Sequence, residues 1–150
     1  MVGAMIYSQK FIQKVDIIEK QQVAQYETRA LLLSQPDAIN INWMRTLDPM
    51  AKKVHGDIVW STQKQQGMMR FANLPALKPD ETYHLWMYDL ASSASDPVSV
   101  TQFSPEFTMP TELLVPFESP RQVSEPYKFS IMLDNTAKDI QPQPLLLAQP

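Results

Sequence analysis

The pattern of apolar and polar positions changes near Pro36 and divides the chain into two parts. From about Ser8 to Ser34 there is no Gly or Pro, and apolar residues return at intervals that place them on one face of a helix. These apolar positions are Ile12, Val15, Val23, Tyr26, Ala30 and Leu33. The pattern predicts one long amphipathic helix that ends before Pro36, because the residue preceding a proline is disfavoured in the α region.

A helix of this length would reach on the order of 40 Å, which leaves two roles open. Its apolar stripe can pack on the following domain or on a neighbouring copy, and the second arrangement would be a homodimer through the N-terminal helix. Alternatively, it is a stalk or short coiled coil that holds a globular head away from a surface, with Glu19 and Gln22 weakening the seam. We expect residues 1–36 to form this helical stalk and residues 37–150 to form the head.

After Pro36, apolar residues recur at every second position. Ile39, Ile41 and Trp43 alternate with two asparagines, as in a half-buried β-strand. Further strands are predicted at Ala51 to Val54, Ile58 to Ser61, Met68 to Ala72, Tyr83 to Asp89, Val98 to Phe103, Glu112 to Phe117, Tyr127 to Leu133 and Leu145 to Ala148. A hairpin is expected at Gln63 to Gly67. No crossover helix fits between these strands, so the pattern predicts an all-β antiparallel sandwich of the immunoglobulin-like class.

The amino-acid composition excludes several classes of protein and of functional site. The chain has 44% hydrophobic and 19% charged residues, enough apolar surface to fold over most of its length. With a formal net charge of -3, the chain lacks the positive charge with which proteins bind the phosphates of nucleic acids. We therefore do not expect nucleic acid as a partner. With 0 cysteines, disulfides, thiolate metal sites and a cysteine nucleophile are excluded together.

The chain has no apolar run of the roughly 18 residues that a membrane span needs. Its opening, Met1 to Tyr7, is apolar but too short for a span, and it lacks the charged start of a signal peptide. Two interpretations stay open. These residues are a ragged N-terminus, or they are the end of a membrane helix whose beginning lies upstream.

Neither histidine predicts a metal site. If Tyr83 and Leu85 face the core, His84 points to the opposite face of its strand, and we expect an exposed side chain there. His55 has no second histidine at a metal-binding spacing, and a zinc or copper site would have to be assembled from distant carboxylates. We predict no metal and no cofactor.

The sequence also predicts no enzyme. A Ser-His-acid arrangement is not excluded by composition, yet no Gly-x-Ser-x-Gly turn is present. The pair Asp80 and Glu81 follows Pro79 in a loop where solvated acids are expected, and Asp134 lies near a strand end. The three glycines are too scattered for a phosphate-binding loop. No catalytic residue is therefore assigned.

Aromatic and sulfur-containing side chains have two possible roles. Trp43, Trp60 and Trp86 can form a ligand platform, but tryptophans on strands of a small sandwich usually belong to the core, and we expect that here.

Five methionines can make an adaptable surface or fill gaps in the core. They are Met68, Met69, Met87, Met109 and Met132.

Ordered short motifs resemble a known family. Ile58-Val59-Trp60-Ser61 is followed by Asn73-Leu74-Pro75-Ala76-Leu77-Lys78-Pro79 and then by Thr82-Tyr83-His84-Leu85-Trp86. Pro97-Val98-Ser99 and Phe103-Ser104-Pro105 continue the order. This series resembles the extracytoplasmic C-terminal domain of anti-sigma factors of the sigma-K regulator type, closely from Val54 to Pro105 and loosely to Pro150. The chain departs from the family in lacking a Gly-Gly pair between Leu133 and Pro142, and in having Asp80 where the family has Gly.

The resemblance implies a single-pass membrane regulator of transcription whose present portion is extracytoplasmic, in the periplasm. A cytoplasmic N-terminal domain outside this sequence would hold the sigma factor, an upstream helix would cross the membrane, and regulatory proteases would release the sigma factor on a signal. The alternative from another class is a stand-alone extracytoplasmic binding module that presents an edge strand or aromatic patch to a peptide, glycan or protein.

Overall fold

Two antiparallel sheets form the framework of the protein. The computed structural model describes residues 20–92, 96–105, 112–136 and 142–150, and the statements below concern these residues. A helix, α1, occupies residues 20–33. The strands are β1 (Ile39–Asn42), β2 (Met44–Arg45), β3 (His55–Ser61), β4 (Gln66–Ala72), β5 (Glu81–Asp89), β6 (Val98–Phe103), β7 (Glu112–Glu118), β8 (Pro126–Asn135) and β9 (Pro144–Ala148). The mostly β architecture confirms the predicted fold class, whereas the finer immunoglobulin-like assignment stays a prediction.

Sheet A has the strand order β1-β3-β4-β7, and sheet B has the order β2-β9-β8-β5-β6. All the pairings are antiparallel. The predicted hairpin joins β3 to β4, and its last turn residue, Gln65, has a φ of 54°. The Gln65 side chain also receives a hydrogen bond from the Val123 backbone N–H, which ties this turn to the segment before β8.

The core lies between the inward faces of the two sheets. Trp60, Phe71, Tyr83, Leu85, Phe129 and Ile131 are all essentially inaccessible to solvent. Trp43 stacks on Phe71 with ring centroids 5.3 Å apart, and Trp60 stacks on Phe117 at 5.8 Å. Each such ring buries enough apolar surface to contribute about 1.5–3 kcal/mol. The core role predicted for Trp43 and Trp60 is confirmed.

One local prediction is wrong, and one short strand was missed. Ala51 to Val54 is not a strand, because Pro49–Ala51 forms a 3₁₀ turn capped by the Asp48 carboxylate, which accepts a hydrogen bond from the Met50 N–H at 2.9 Å. The short strand β2 was not predicted. It forms because Met44 and Arg45 meet Leu147 and Leu146 of β9, which lie far along the chain, near its other end in the sequence.

Helix α1 ends before Ser34, as predicted, but it packs with a different face. Leu32, which is not one of the predicted stripe positions, is buried, whereas the stripe residues Val23 and Leu33 are 58% and 39% exposed. Leu32 joins Val59, Met68 and Leu114 in a small apolar cluster on the outer face of sheet A. The predicted helix before residue 20, the segment Met1 to Tyr7 and Met109 lie outside the described residues, and the stalk role stays a prediction.

Candidate functional site

The junction between α1 and sheet A is the candidate functional site. Because side chains alternate along a strand, Val59 and Met68 point away from the core that Trp60 and Met69 enter. Their outward apolar surface is covered by Leu32 of the helix. A single leucine gives α1 only a small apolar contact, so polar contacts have a large share in holding the helix to the sheet.

Five side chains make these polar contacts, and we call them the helix clamp: Tyr26, Arg29, Asp57, Arg70 and Glu112. Arg29 Nη2 lies 2.6 Å from Asp57 Oδ2, and Arg70 Nη2 lies 3.1 Å from the same oxygen. Arg70 Nη1 lies 3.0 Å from Glu112 Oε1, and the Tyr26 hydroxyl donates to Glu112 Oε2 at 2.6 Å. The clamp therefore joins α1 to β3, β4 and β7.

The clamp carboxylates depend on their partners. The Asp57 side chain is only 5% exposed, so its charge would be costly without the two guanidinium groups beside it. The hydrogen bond from Tyr26, together with nearby Arg70, lowers the pKa of Glu112. The same hydrogen bond raises the pKa of the Tyr26 hydroxyl, and the hydrogen bond to Asp57 raises the pKa of Arg70. These hydrogen bonds thus favour the protonated forms of Tyr26 and Arg70 and the ionised form of Glu112.

An open groove of about 520 Å³ lies beside the clamp. Its walls come from α1, from the β4 and β7 side of sheet A, and from β6 of sheet B. The lining residues are Thr28, Leu32, Gln66, Gly67, Val100, Thr101, Pro116, Phe117 and Glu118. Since β6 and β7 are edge strands of their sheets, the groove runs along an open side of the sandwich.

A second polar cluster lies on the outer face of sheet B and corrects the expectation for His84. The side chain does point away from the core, but the residue is only 7% exposed. His84 Nδ1 lies 2.6 Å from Asp134 Oδ2, and Nε2 lies 2.7 Å from Ser99 Oγ. The Trp86 ring stacks on the imidazole at 4.4 Å, and Gln102 donates to Asp134 at 3.2 Å.

The same geometry shows that Trp86 was wrongly expected in the core. It shares the outward face of β5 with His84, whereas Tyr83, Leu85 and Met87 fill the interior from the opposite face. Met69 and Met87 are buried in the core, so the gap-filling role fits these two methionines, whereas Met68 is buried beneath Leu32 of α1. The meeting of Ser99, His84 and Asp134 could not be predicted from local patterns, because 15 and 50 residues separate His84 from its partners.

The other residues considered in the sequence analysis, His55 and the acidic pair Asp80 and Glu81, belong to neither polar cluster. His55 is exposed at the start of β3. Glu81 accepts a hydrogen bond from the Lys78 N–H, and the Asp80 carbonyl accepts from Thr136, so this acidic pair has a role in closing the loop before β5. In the described part of the chain, no group of three or more His, Cys, Asp or Glu side chains is placed to hold a metal ion.

The fold and the clamp define a class of protein, a two-sheet β-sandwich domain with an N-terminal helix fastened to one sheet. The family model described as anti-sigma-K factor RskA, C-terminal, matches residues 5–124, which is most of the chain. The protein belongs to this family and is the C-terminal domain of an anti-sigma factor, a regulator whose partner is a sigma factor. The family resemblance inferred from the motifs is thereby confirmed.

The family match ends before β8, so the central and C-terminal strands β8 and β9 of sheet B lie beyond it. No characterised protein and no solved structure matches the chain. Among the described residues, no helix has the length and hydropathy needed to cross a bilayer.

Proposed function

We propose that this domain is the extracytoplasmic, periplasmic part of a membrane-anchored anti-sigma factor and controls the regulated proteolysis of that protein. The sigma factor binds an N-terminal domain outside this sequence, an upstream helix crosses the membrane, and α1 joins that helix to the sandwich. Membership of the anti-sigma-K family supports this assignment. The family is regulatory.

The observation that carries the proposal is the lateral packing of α1 on sheet A. Proteases cleave extended backbone, and a helix held against a sheet must first detach or unfold. The clamp adds Arg29 and Tyr26 to the single apolar anchor Leu32. Release of the clamp therefore exposes the chain between the membrane and the sandwich, and occlusion by the folded head keeps the regulator intact.

The test uses the full-length anti-sigma factor in its own cells. Arg29→Gln removes the helix side of the ion pair with Asp57, and we expect a shorter half-life of the full-length protein and a higher output from a sigma-dependent reporter. Arg45→Gln is the matched control, because Arg45 is exposed and donates only to the Lys52 carbonyl, away from α1. The proposal is wrong if hydrogen exchange shows that Arg29→Gln frees α1 while cleavage and reporter output stay unchanged.

A stand-alone extracytoplasmic binding module is the second candidate function. The groove along β6 and β7 favours it, since an extended peptide can add to an open sheet edge. The upstream reading frame distinguishes the two candidates. A membrane span preceded by a small helical domain supports the anti-sigma regulator, and a cleavable signal peptide supports the module.

A further inference from the structure

Ser99, His84 and Asp134 form a continuous hydrogen-bonded series on the outer face of sheet B, and its direction follows from chemistry. An ionised carboxylate only accepts hydrogen bonds, so the 2.6 Å contact with Asp134 places the proton of a neutral imidazole on Nδ1. Nε2 is then an acceptor, and the 2.7 Å contact is a hydrogen bond donated by the Ser99 hydroxyl. Nucleophile, base and orienting acid thus stand in the order that nucleophilic catalysis requires.

The backbone places Ser99 where a reactant can reach it. Leu85 pairs with Thr101 and Trp86 pairs with Ser99, so Val100 is an extra residue in β6 and forms a β-bulge. Bulges redirect neighbouring side chains and recur beside active sites. Ser99 is exposed, whereas His84 beneath it is buried. Among the described strands, β6 is also the edge of sheet B, so no other described strand pairs with it on the side away from β5.

The residues around His84 hold its imidazole in place, and the indole N–H of Trp86 has no hydrogen-bond partner. The stacked Trp86 ring fixes the imidazole plane, and Gln102 gives Asp134 a second hydrogen bond. Trp86 Nε1 is buried without a hydrogen-bond partner, although Trp86 pairs in register with Ser99. A buried N–H without a partner is costly, and an acceptor oxygen bound beside Ser99 would satisfy it.

We propose that Ser99 is an activated nucleophile that attacks the carbonyl carbon of small esters reaching it from solvent. As the bond from Ser99 Oγ to carbon forms, the hydroxyl proton moves to His84 Nε2, and Asp134 stays ionised beside the imidazolium. The ester C–O bond then breaks, and the leaving oxygen takes the proton from Nε2. A water molecule repeats these steps on the acyl-serine, which releases a carboxylic acid and restores Ser99.

This site lies on the sheet opposite the helix clamp, so its test is independent of the regulatory proposal. The folded chain is incubated with a fluorophosphonate, which forms an Oγ–P bond with an activated serine as fluoride leaves. Peptide mass spectrometry then gives the occupancy of each serine. We expect Ser99 to react while exposed Ser124 does not, since Ser124 has no histidine contact among the described hydrogen bonds.

Variants separate activation from mere exposure. Ser99→Ala should abolish the label and the release of p-nitrophenol from p-nitrophenyl acetate, whereas Ser124→Ala should leave both unchanged. His84→Gln keeps hydrogen-bonding capacity but removes the base, and we expect labelling to slow by about 10²–10⁴-fold. Asp134→Asn should also slow it.

Near-UV circular dichroism establishes which variants remain folded, and the comparison of Ser99 with Ser124 in the unmodified chain needs no variant. An unlabelled Ser99 in the folded protein, or equal labelling in folded His84→Gln, overturns the proposal and leaves the series as a structural link between β5, β6 and β8.

Discussion

Arg29 Nη2 and Asp57 Oδ2 lie 2.6 Å apart, although 28 residues separate the helix from β3 in the sequence. The contact joins the one described helix to the middle of sheet A, at a carboxylate that Arg70 also holds from the neighbouring strand. Because the apolar part of this junction rests on Leu32, the attachment of α1 responds to changes in charge as well as to changes in packing.

The ion pair between Arg29 and Asp57 should show as a coupling energy in a double-mutant cycle. Arg29→Gln removes one of two cations at Asp57, and hydrogen bonds to charged groups contribute about 1.5–3 kcal/mol. We expect Arg29→Gln to lower the free energy of unfolding, measured with urea, by this amount. The same substitution should lower it by less in a protein that already carries Asp57→Asn. Additive effects of the two substitutions would show that the contact contributes nothing to stability.

Trp60 and Trp86 should differ in their effect on stability. Trp60→Ala leaves a cavity between the sheets and should cost about 3–5 kcal/mol, because the ring is fully buried against Phe117. Trp86→Ala should cost clearly less, since that ring lies on the outer face of sheet B. Chemical denaturation measures both. Equal losses would contradict the outward placement of Trp86.

Gly56 is the strand position at which a side chain should be least tolerated. Its φ is 148°, and an added Cβ would collide with the carbonyl of Arg70, which accepts the hydrogen bond from Trp43 Nε1. Gly56→Ala should therefore lower the midpoint of thermal unfolding by roughly 6–12 °C, from about 3 kcal/mol of strain. Gln66→Ala, an exposed change at the start of β4, should leave the midpoint almost unchanged.

Asp89 should make the protein more sensitive to acid. Burial opposes its ionisation, but backbone N–H groups of Ala91, Ser124 and Glu125 outweigh burial, and the pKa of Asp89 lies below its usual value. In the unfolded chain an aspartate has a pKa of about 3.9, and above this pH the ionised Asp89 stabilises the folded protein in full. The stabilisation is lost as the pH falls through the lower pKa that Asp89 has in the folded state.

The comparison variant for this effect is Asp89→Asn, whose side chain does not titrate. Urea unfolding between pH 2 and pH 6 should show the native protein more stable than the variant at pH 6, with the difference shrinking toward pH 2. A difference that is constant over this range would exclude the linkage to Asp89.

The strand positions could be predicted because their signals are local. Ile39 to Trp43 has a period of two, and Tyr83 and Leu85 alternate with His84 as the structure shows. The turn at Pro49–Ala51 was missed because the apolar ends of Ala51 to Val54 imitate a strand, whereas Asp48 and Pro49 determine the local backbone.

The contacts between distant segments could not be predicted in this way. The run Leu31-Leu32-Leu33 is apolar at three successive positions, so periodicity alone does not identify the residue that meets the sheet. The packed face is set by the position of Asp57 relative to Arg29. In the same way, His84 is buried by partners that come from β6 and β8.

The place of β9 has a consequence for newly made protein. This strand lies between β2 and β8, and the Thr46 hydroxyl donates to the Leu145 carbonyl across 99 residues. During synthesis, β2 cannot pair with β9 until Pro144–Ala148 has been made. We expect nascent chains that stop before Pro144 to keep the hydrophobic edge of β8 open and to be degraded, so that the cell accumulates only molecules carrying a finished head.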